Sequence, residues 1–165
     1  MLKKQSQSEA NGGASAQSGS GENSPATLRA KLGITKAEFE EMGAIGAMYY
    51  EQGILDKART IFEGLVEMDP ESADAHSALG ALYTRLQSDE EALSHLNRAI
   101  ALDARQIAPH VNRAEVYLRK QLIEEAVADL KSAIELDPEE KDPGANRARA
   151  MVLGIHEALE ARAVM

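Results

Sequence analysis

The hydrophobic and polar positions of this chain repeat on two scales. On the longer one, Tyr49, Tyr83 and Tyr117 stand 34 residues apart, as do Ala58, Ala92 and Ala126, and Phe62, Leu96 and Leu130. Val66, Ile100 and Ile134 keep the same interval, followed by Met68, Leu102 and Leu136 and by Asp69, Asp103 and Asp137. Pro70 and Pro138 frame the series, with Ala104 between them. Columns that stay in phase over three periods mark a repeat array, in which no unit buries its apolar face alone and stacking supplies the core. On the shorter scale, Ala145, Ala148, Val152, Ile155 and Leu159 follow one another at gaps of three and four, the single stripe of an amphipathic helix.

Local signals place the helix ends. Thr35 and Glu38 read as a capping box that opens a helix near Lys36. Ser24-Pro25 reads as an N-cap followed by proline at the first helical position, opening a short helix to about Leu32 that Gly33 stops. Gly53 is placed to end the first helix of the first unit in a left-handed conformation. Ser88 and Glu91 read as a second capping box. Asp142-Pro143 opens a last helix to about Ala161, a cap over the third unit, with Arg147, Arg149, Glu157 and Glu160 facing water. Residues 1–23, rich in Ser, Gly, Asn, Gln and Ala, cannot bury enough apolar surface to offset their ordering entropy and read as a flexible tail, with an export or docking signal as the functional alternative.

The period and the residue types resemble the tetratricopeptide repeat, W-x2-L-G-x2-Y, then A-x3-F, then P. The first unit carries Met42, Ile45, Gly46, Tyr49, Ala58, Phe62 and Pro70 at those places. The second carries His76, Leu79, Gly80, Tyr83, Ala92, Leu96 and Ala104, and the third His110, Arg113, Ala114, Tyr117, Ala126, Leu130 and Pro138. Arg113 departs from the leucine column, which leaves the packing there open. The resemblance implies an all-α superhelix of three antiparallel helix pairs, with an N-terminal helix and a C-terminal capping helix. The organisation would be a tail over 1–23, an entry segment over 24–38, repeats over 39–72, 73–106 and 107–140, and the cap over 141–165. Gly46, Gly80 and Ala114 are small where paired helices approach most closely, and Ala58, Ala92 and Ala126 do the same from the second helix, so that ridges fit into grooves.

Composition narrows the function. With 44% hydrophobic and 27% charged residues among 165, the chain can build a packed core. No apolar run approaches the ~18 residues that cross a bilayer, and no signal-like stretch opens the chain, which points to a soluble cytoplasmic protein. The absence of cysteine excludes disulfides, thiolate metal sites and cysteine nucleophiles and agrees with a reducing compartment. A net charge of -9 makes nucleic acid a poor partner. His76 and His110 occupy equivalent places on neighbouring first helices, where packing explains them better than a metal, since no carboxylate lies one turn from both. His95 and His156 read as solvated helix residues. Phosphate-loop, G-x-S-x-G and H-E-x-x-H patterns are missing, so no enzyme and no cofactor are expected. The remaining charges, for example Glu51 near Lys57 or Glu124 near Lys120, read as solvated ion pairs of little net worth.

What remains is a binding surface, because stacked helix pairs curve and the first helix of each pair lines the hollow. The repeat phase places Gly43, Ala47, Tyr50 and Glu51 there from the first unit, Ser77, Ala81, Thr84 and Arg85 from the second, and Val111, Glu115, Leu118 and Arg119 from the third. Such a channel suits an extended peptide, with Tyr50 as the aromatic anchor and Arg85 and Arg119 as holders of carbonyls or an acidic side chain. The segments GAMYYEQGILDKARTIFEGLVEMDP, ALGALYTRLQSDEEALSHL and HVNRAEVYLRK are similar to the class II chaperones of bacterial type III secretion. That resemblance implies a cytoplasmic protein that grips an extended segment of a hydrophobic translocator and keeps it competent for export without ATP. It also implies a homodimer through about residues 25–50. The family tends to place aromatics where Gly43 and Ala47 stand, so pockets here would be shallower or differently placed. The alternative is a general repeat adaptor for an envelope, pilus or regulatory assembly, with Arg85 and Arg119 taking a carboxylate.

Overall fold

The structure, a computed structural model, describes residues 27–163, which form eight helices. After α1 (Leu28–Lys31) come three hairpins: α2 (Lys36–Glu51) with α3 (Leu55–Met68), α4 (Ala73–Arg85) with α5 (Asp89–Leu102), and α6 (Ile107–Arg119) with α7 (Ile123–Glu135). α8 (Pro143–Ala163) follows. The expected tail lies outside the described residues, as do Ser24 and Pro25. The entry helix is shorter than its sequence suggests: Thr27, in an extended conformation, accepts from the Ala30 N–H, and Gly33 at φ 70° turns the chain out again.

Caps explain the other starts. The Thr35–Glu38 box forms in full, Ser72 accepts from Ala75 N–H at 3.2 Å, and Asp142 Oδ1 accepts from Gly144 and Ala145 N–H at 2.7 and 3.0 Å. The Ser88–Glu91 box does not form. Its backbone explains why: Ser88 sits at ψ 78°, as Ile54 and Leu122 sit at 66° and 74° at the equivalent places, far from the extended ψ at which a cap side chain turns back onto its helix. One turn geometry joins the two helices of every hairpin. Gly53, Gln87 and Gln121 are all left-handed at φ 74°, 58° and 62°, and the N–H groups of Ile54, Ser88 and Leu122 each donate to the carbonyl five residues back, closing a Schellman turn. Two of these three positions carry a side chain where glycine is unstrained. Replacing Gln87 or Gln121 by glycine is therefore expected to stabilise the chain by up to about 1 kcal/mol, read as a rise of about 2–4 °C in thermal midpoint.

The repeat columns are the core. Ala58, Ala92 and Ala126 are wholly buried, Phe62, Leu96 and Leu130 nearly so, and Leu65, Ala99 and Ala133 add a further buried column. The small first-helix positions are required by contact, since a Cβ on Gly46 would stand 2.5 Å from the Phe62 ring and one on Gly80 2.7 Å from Leu96. α8 continues the phase: Ala148 follows Ala114 by 34 residues and is equally buried, so the helix packs on α6 and α7 as the first helix of another unit would. Arg147 stays exposed while pairing with Glu115, but Arg149 does not face water as its spacing suggested: it is half-buried and pairs with Asp137 at 3.4 Å. Nor do two other charges keep their expected neighbours. Lys57 lies 5.1 Å over the Tyr49 ring, and Lys120 bonds Glu90 at 2.7 Å.

The two buried histidines occupy one position but solve it differently. In each case Nε2 donates to a carbonyl, that of Pro70 for His76 and of Ala104 for His110, both at 3.1 Å. His76 Nδ1 then accepts from His95 Nδ1 at 3.0 Å, the tautomers following from the partners. His95 is thus no solvated residue: it is half-buried, stacked between His76 and Tyr83. Burial, then the neighbouring His76, push its pKa down. One repeat later, Asp129 replaces His95 and Arg113 replaces Leu79. Arg113 grips Asp129 through Nε and Nη2 at 2.7 and 2.6 Å, and His110 Nδ1 lies 3.2 Å from the same carboxylate. The break in the leucine column is a buried ion pair.

Candidate functional site: the concave face

Successive first helices touch, α2 with α4, α4 with α6 and α6 with α8, whereas α3, α5 and α7 do not meet one another. A stack closer on one side than on the other curves, and the hollow lies on the side of the first helices. Two cavities open along it. One, of about 260 Å³, lies between α2 and α4; Gly43 and Ala47 leave it open, Phe39, Phe62 and Leu65 form its apolar wall, and Glu40 and Asp74 stand at its rim. The other, of about 550 Å³, lies between α4, α6 and the start of α8, with Asp74, Ser77, Gln106 and Asp142 among its lining.

The positions read from the repeat phase divide accordingly. Gly43 and Ala47 come together in the first cavity, and Ser77 lies in the second. Where bulky side chains were expected to be missed, their absence makes the pocket. Ala81 is half-buried and Glu51 exposed, both on first-helix surface. Tyr50 is half-buried beneath Arg85, whose guanidinium lies 5.0 Å over the ring while Nη1 donates to the Tyr50 carbonyl at 2.7 Å. Arg119 Nε donates to Asp89 at 3.0 Å. Both arginines therefore tie one repeat to the one before. Two positions offer no surface: Val111 is 1% exposed, and Thr84, 6% exposed, donates to the Gly80 carbonyl at 2.8 Å. Glu115 is taken by Arg147, and Leu118, like Val152 and Ile155 of α8, packs against the last core cluster. α8 reaches Glu115 because it continues the array.

Glu40, Asp74 and Asp142 were missed by the sequence reading, yet they share one phase at the start of successive first helices, with Ala108 between the last two. The same 34-residue interval that marks the core also marks this row of carboxylates. Among the described residues no group of three or more His, Cys, Asp or Glu side chains is arranged to hold a metal, and no helix is long and apolar enough to cross a membrane.

Comparison with known proteins agrees with this architecture. Models of the tetratricopeptide repeat match residues 46–107 and 108–140, and the chain belongs to that family. No curated protein matches the sequence. Among solved structures, it is similar to the Yersinia enterocolitica type III secretion translocator chaperone SycD, at 20% identity and TM-score 0.68 over 79% of this chain and 99% of that one. A type III secretion complex from Aeromonas hydrophila gives 23% identity and TM-score 0.71 over 81% and 91% of the two chains. PcrH, a protein of Pseudomonas aeruginosa, in complex with the chaperone-binding region of PopD gives 28% identity and TM-score 0.67 over 79% and 96%.

Proposed function

We propose that this chain is a cytoplasmic chaperone of bacterial type III secretion, holding an extended segment of a hydrophobic translocator in its concave groove. The observation that carries this is the apolar cavity of about 260 Å³ between α2 and α4, held open by Gly43 and Ala47. Its size suits one aliphatic side chain of an extended segment, and the repeat framework presents backbone-width surface on either side of it. PcrH in complex with the chaperone-binding regions of PopB and PopD supports the reading, since both complexes share this fold. Binding, rather than catalysis, is the role such a surface supports. Homodimerisation through about residues 25–50 is part of the proposal; Leu28, Leu32, Ile45 and Met48 leave 44%, 61%, 43% and 47% of their surface exposed in that stretch. The adaptor reading leaned on Arg85 and Arg119 for a carboxylate, and both guanidinium groups are engaged within the chain.

Ala47 is exposed and its side chain supports nothing in the core, so a bulky replacement fills the cavity without unfolding the repeat. Ala47→Trp is expected to weaken binding of a co-expressed translocator by about tenfold or more, with helicity and thermal midpoint kept. Unchanged affinity in a folded Ala47→Trp variant overturns the assignment of the groove.

A further inference from the structure

We infer that the segment taken up by the groove carries a lysine or arginine next to its apolar anchor, received by Asp74 and Gln106; this rests on the groove reading above. Asp74 stands on the wall common to both cavities, so a residue adjoining one seated in the apolar cavity comes within its reach. Gln106 Nε2 donates to Asp74 Oδ1 at 2.6 Å. That bond fixes the amide, because the reversed orientation would set oxygen against carboxylate, and it turns Oε1 away. Gln106 Oε1 is buried and has no hydrogen-bond partner among the described residues. A buried acceptor without a donor is a cost that an incoming N–H removes.

The surrounding chemistry asks for a cation. Asp142 and Ser77 line the same cavity, the Asp142 carboxylate already capping α8 through Oδ1. Arg105, the cation on this wall, is 88% exposed and faces Asp103 at 3.7 Å. Glu40, on the far rim of the apolar cavity, meets only the exposed Lys36 among the described residues, at 3.4 Å. A carboxylate or phosphate entering here would face Asp74, Asp142 and the Gln106 lone pairs. An ammonium or guanidinium would satisfy them, as a donor-rich group beside paired acceptors does.

The test uses the full chain and two fluorescein-labelled nonapeptide pools with one fixed leucine, flanked by lysines in one pool and by glutamines in the other. In fluorescence anisotropy at low salt the lysine pool is expected to bind about fivefold more tightly, the scale of a single partly exposed charge pair. Asp74→Asn should reduce that advantage below about twofold, and salt near ~0.5 M should do the same. The remote variant Glu124→Gln/Glu125→Gln should keep it; loss there as well would make the preference a matter of net charge and overturn the inference. Equal binding of the two pools, both lost in Ala47→Trp, also overturns it but leaves the groove reading standing. If neither pool binds, or Ala47→Trp changes nothing, both fall together.

Discussion

Asp129→Ala is expected to cost about 3–5 kcal/mol, the penalty for leaving a buried charge without its partner. The Asp129 side chain is 7% exposed and that of Arg113 19%, and removal strands the guanidinium among α5, α6 and α7 with only Asn97 to bond. His110 loses its Nδ1 partner in the same step. A chain of this size would show the loss as a fall in thermal midpoint of roughly 6–20 °C. The second repeat supplies the control, because there Leu79 and His95 occupy the places of Arg113 and Asp129. Arg113→Leu with Asp129→His should recover most of the stability that Asp129→Ala loses, whereas Arg113→Leu alone should recover none. Acid sharpens the distinction. Burial raises the Asp129 pKa, but the hydrogen bonds from Arg113 and His110 outweigh it and hold the carboxyl below its ordinary 3.8. A carboxyl depressed in the folded state contributes stability above its unfolded pKa and loses it as pH falls through the folded one. Wild type should thus lose this contribution below about pH 4, and the doubly substituted chain should lack that part of the acid slope. Equal acid slopes in the two proteins would show that the pair adds nothing.

The same pair shows where the sequence was legible and where it was not. The 34-residue phase was readable because the core is made of apolar and small side chains whose contacts repeat, so each column reports on the same packing three times. Gly46, Gly80 and Ala114 could be assigned to close helix approach on that ground alone, and Gly46 and Gly80 stand where a Cβ would collide. Arg113 broke a column, and a single break carries no sign of its partner; only folding brings Asp129, sixteen positions on, against it. His95 was misread for a related reason. Its neighbours Ser94 and Asn97 are polar, but a helix position half-buried by the first helix of its own hairpin keeps no periodic mark of its own. The cap was legible where the backbone before the helix is extended, as at Thr35, and illegible at Ser88, where a tight turn sets the backbone first. The groove was half-legible. Phase put Gly43, Ala47 and Ser77 at the cavities, but it did not show that α8 continues the array and brings Arg147 onto Glu115, nor that Arg85 folds back over Tyr50. Side chains long enough to choose between neighbours are placed by the third dimension, not by their interval.

Leu96→Ala is the other large effect, and its partner across the hairpin makes it informative. Leu96 is fully buried at the centre of the stack, and its side chain lies where a Cβ on Gly80 would be, 2.7 Å from both Cγ and Cδ2. Truncation to alanine should cost about 2–5 kcal/mol, the transfer of the lost carbons plus the cavity left behind. Gly80→Ala alone should cost about 1–3 kcal/mol, since the added methyl forces Leu96 from its place and also meets the Leu96 backbone N at 3.3 Å. The two changes together should cost less than their sum, because the methyl enters the space that the truncation opens; a coupling of at least about 0.5 kcal/mol is the measurable sign. The third repeat already carries an intermediate solution, with Ala114 opposite Leu130 and both fully buried. Strict additivity in denaturant titrations would mean that α4 and α5 can separate freely at this crossing. The shape of the concave face depends on that not happening, because the tilt of each first helix, and with it the cavity beside Gly43 and Ala47, follows from how closely its own hairpin closes.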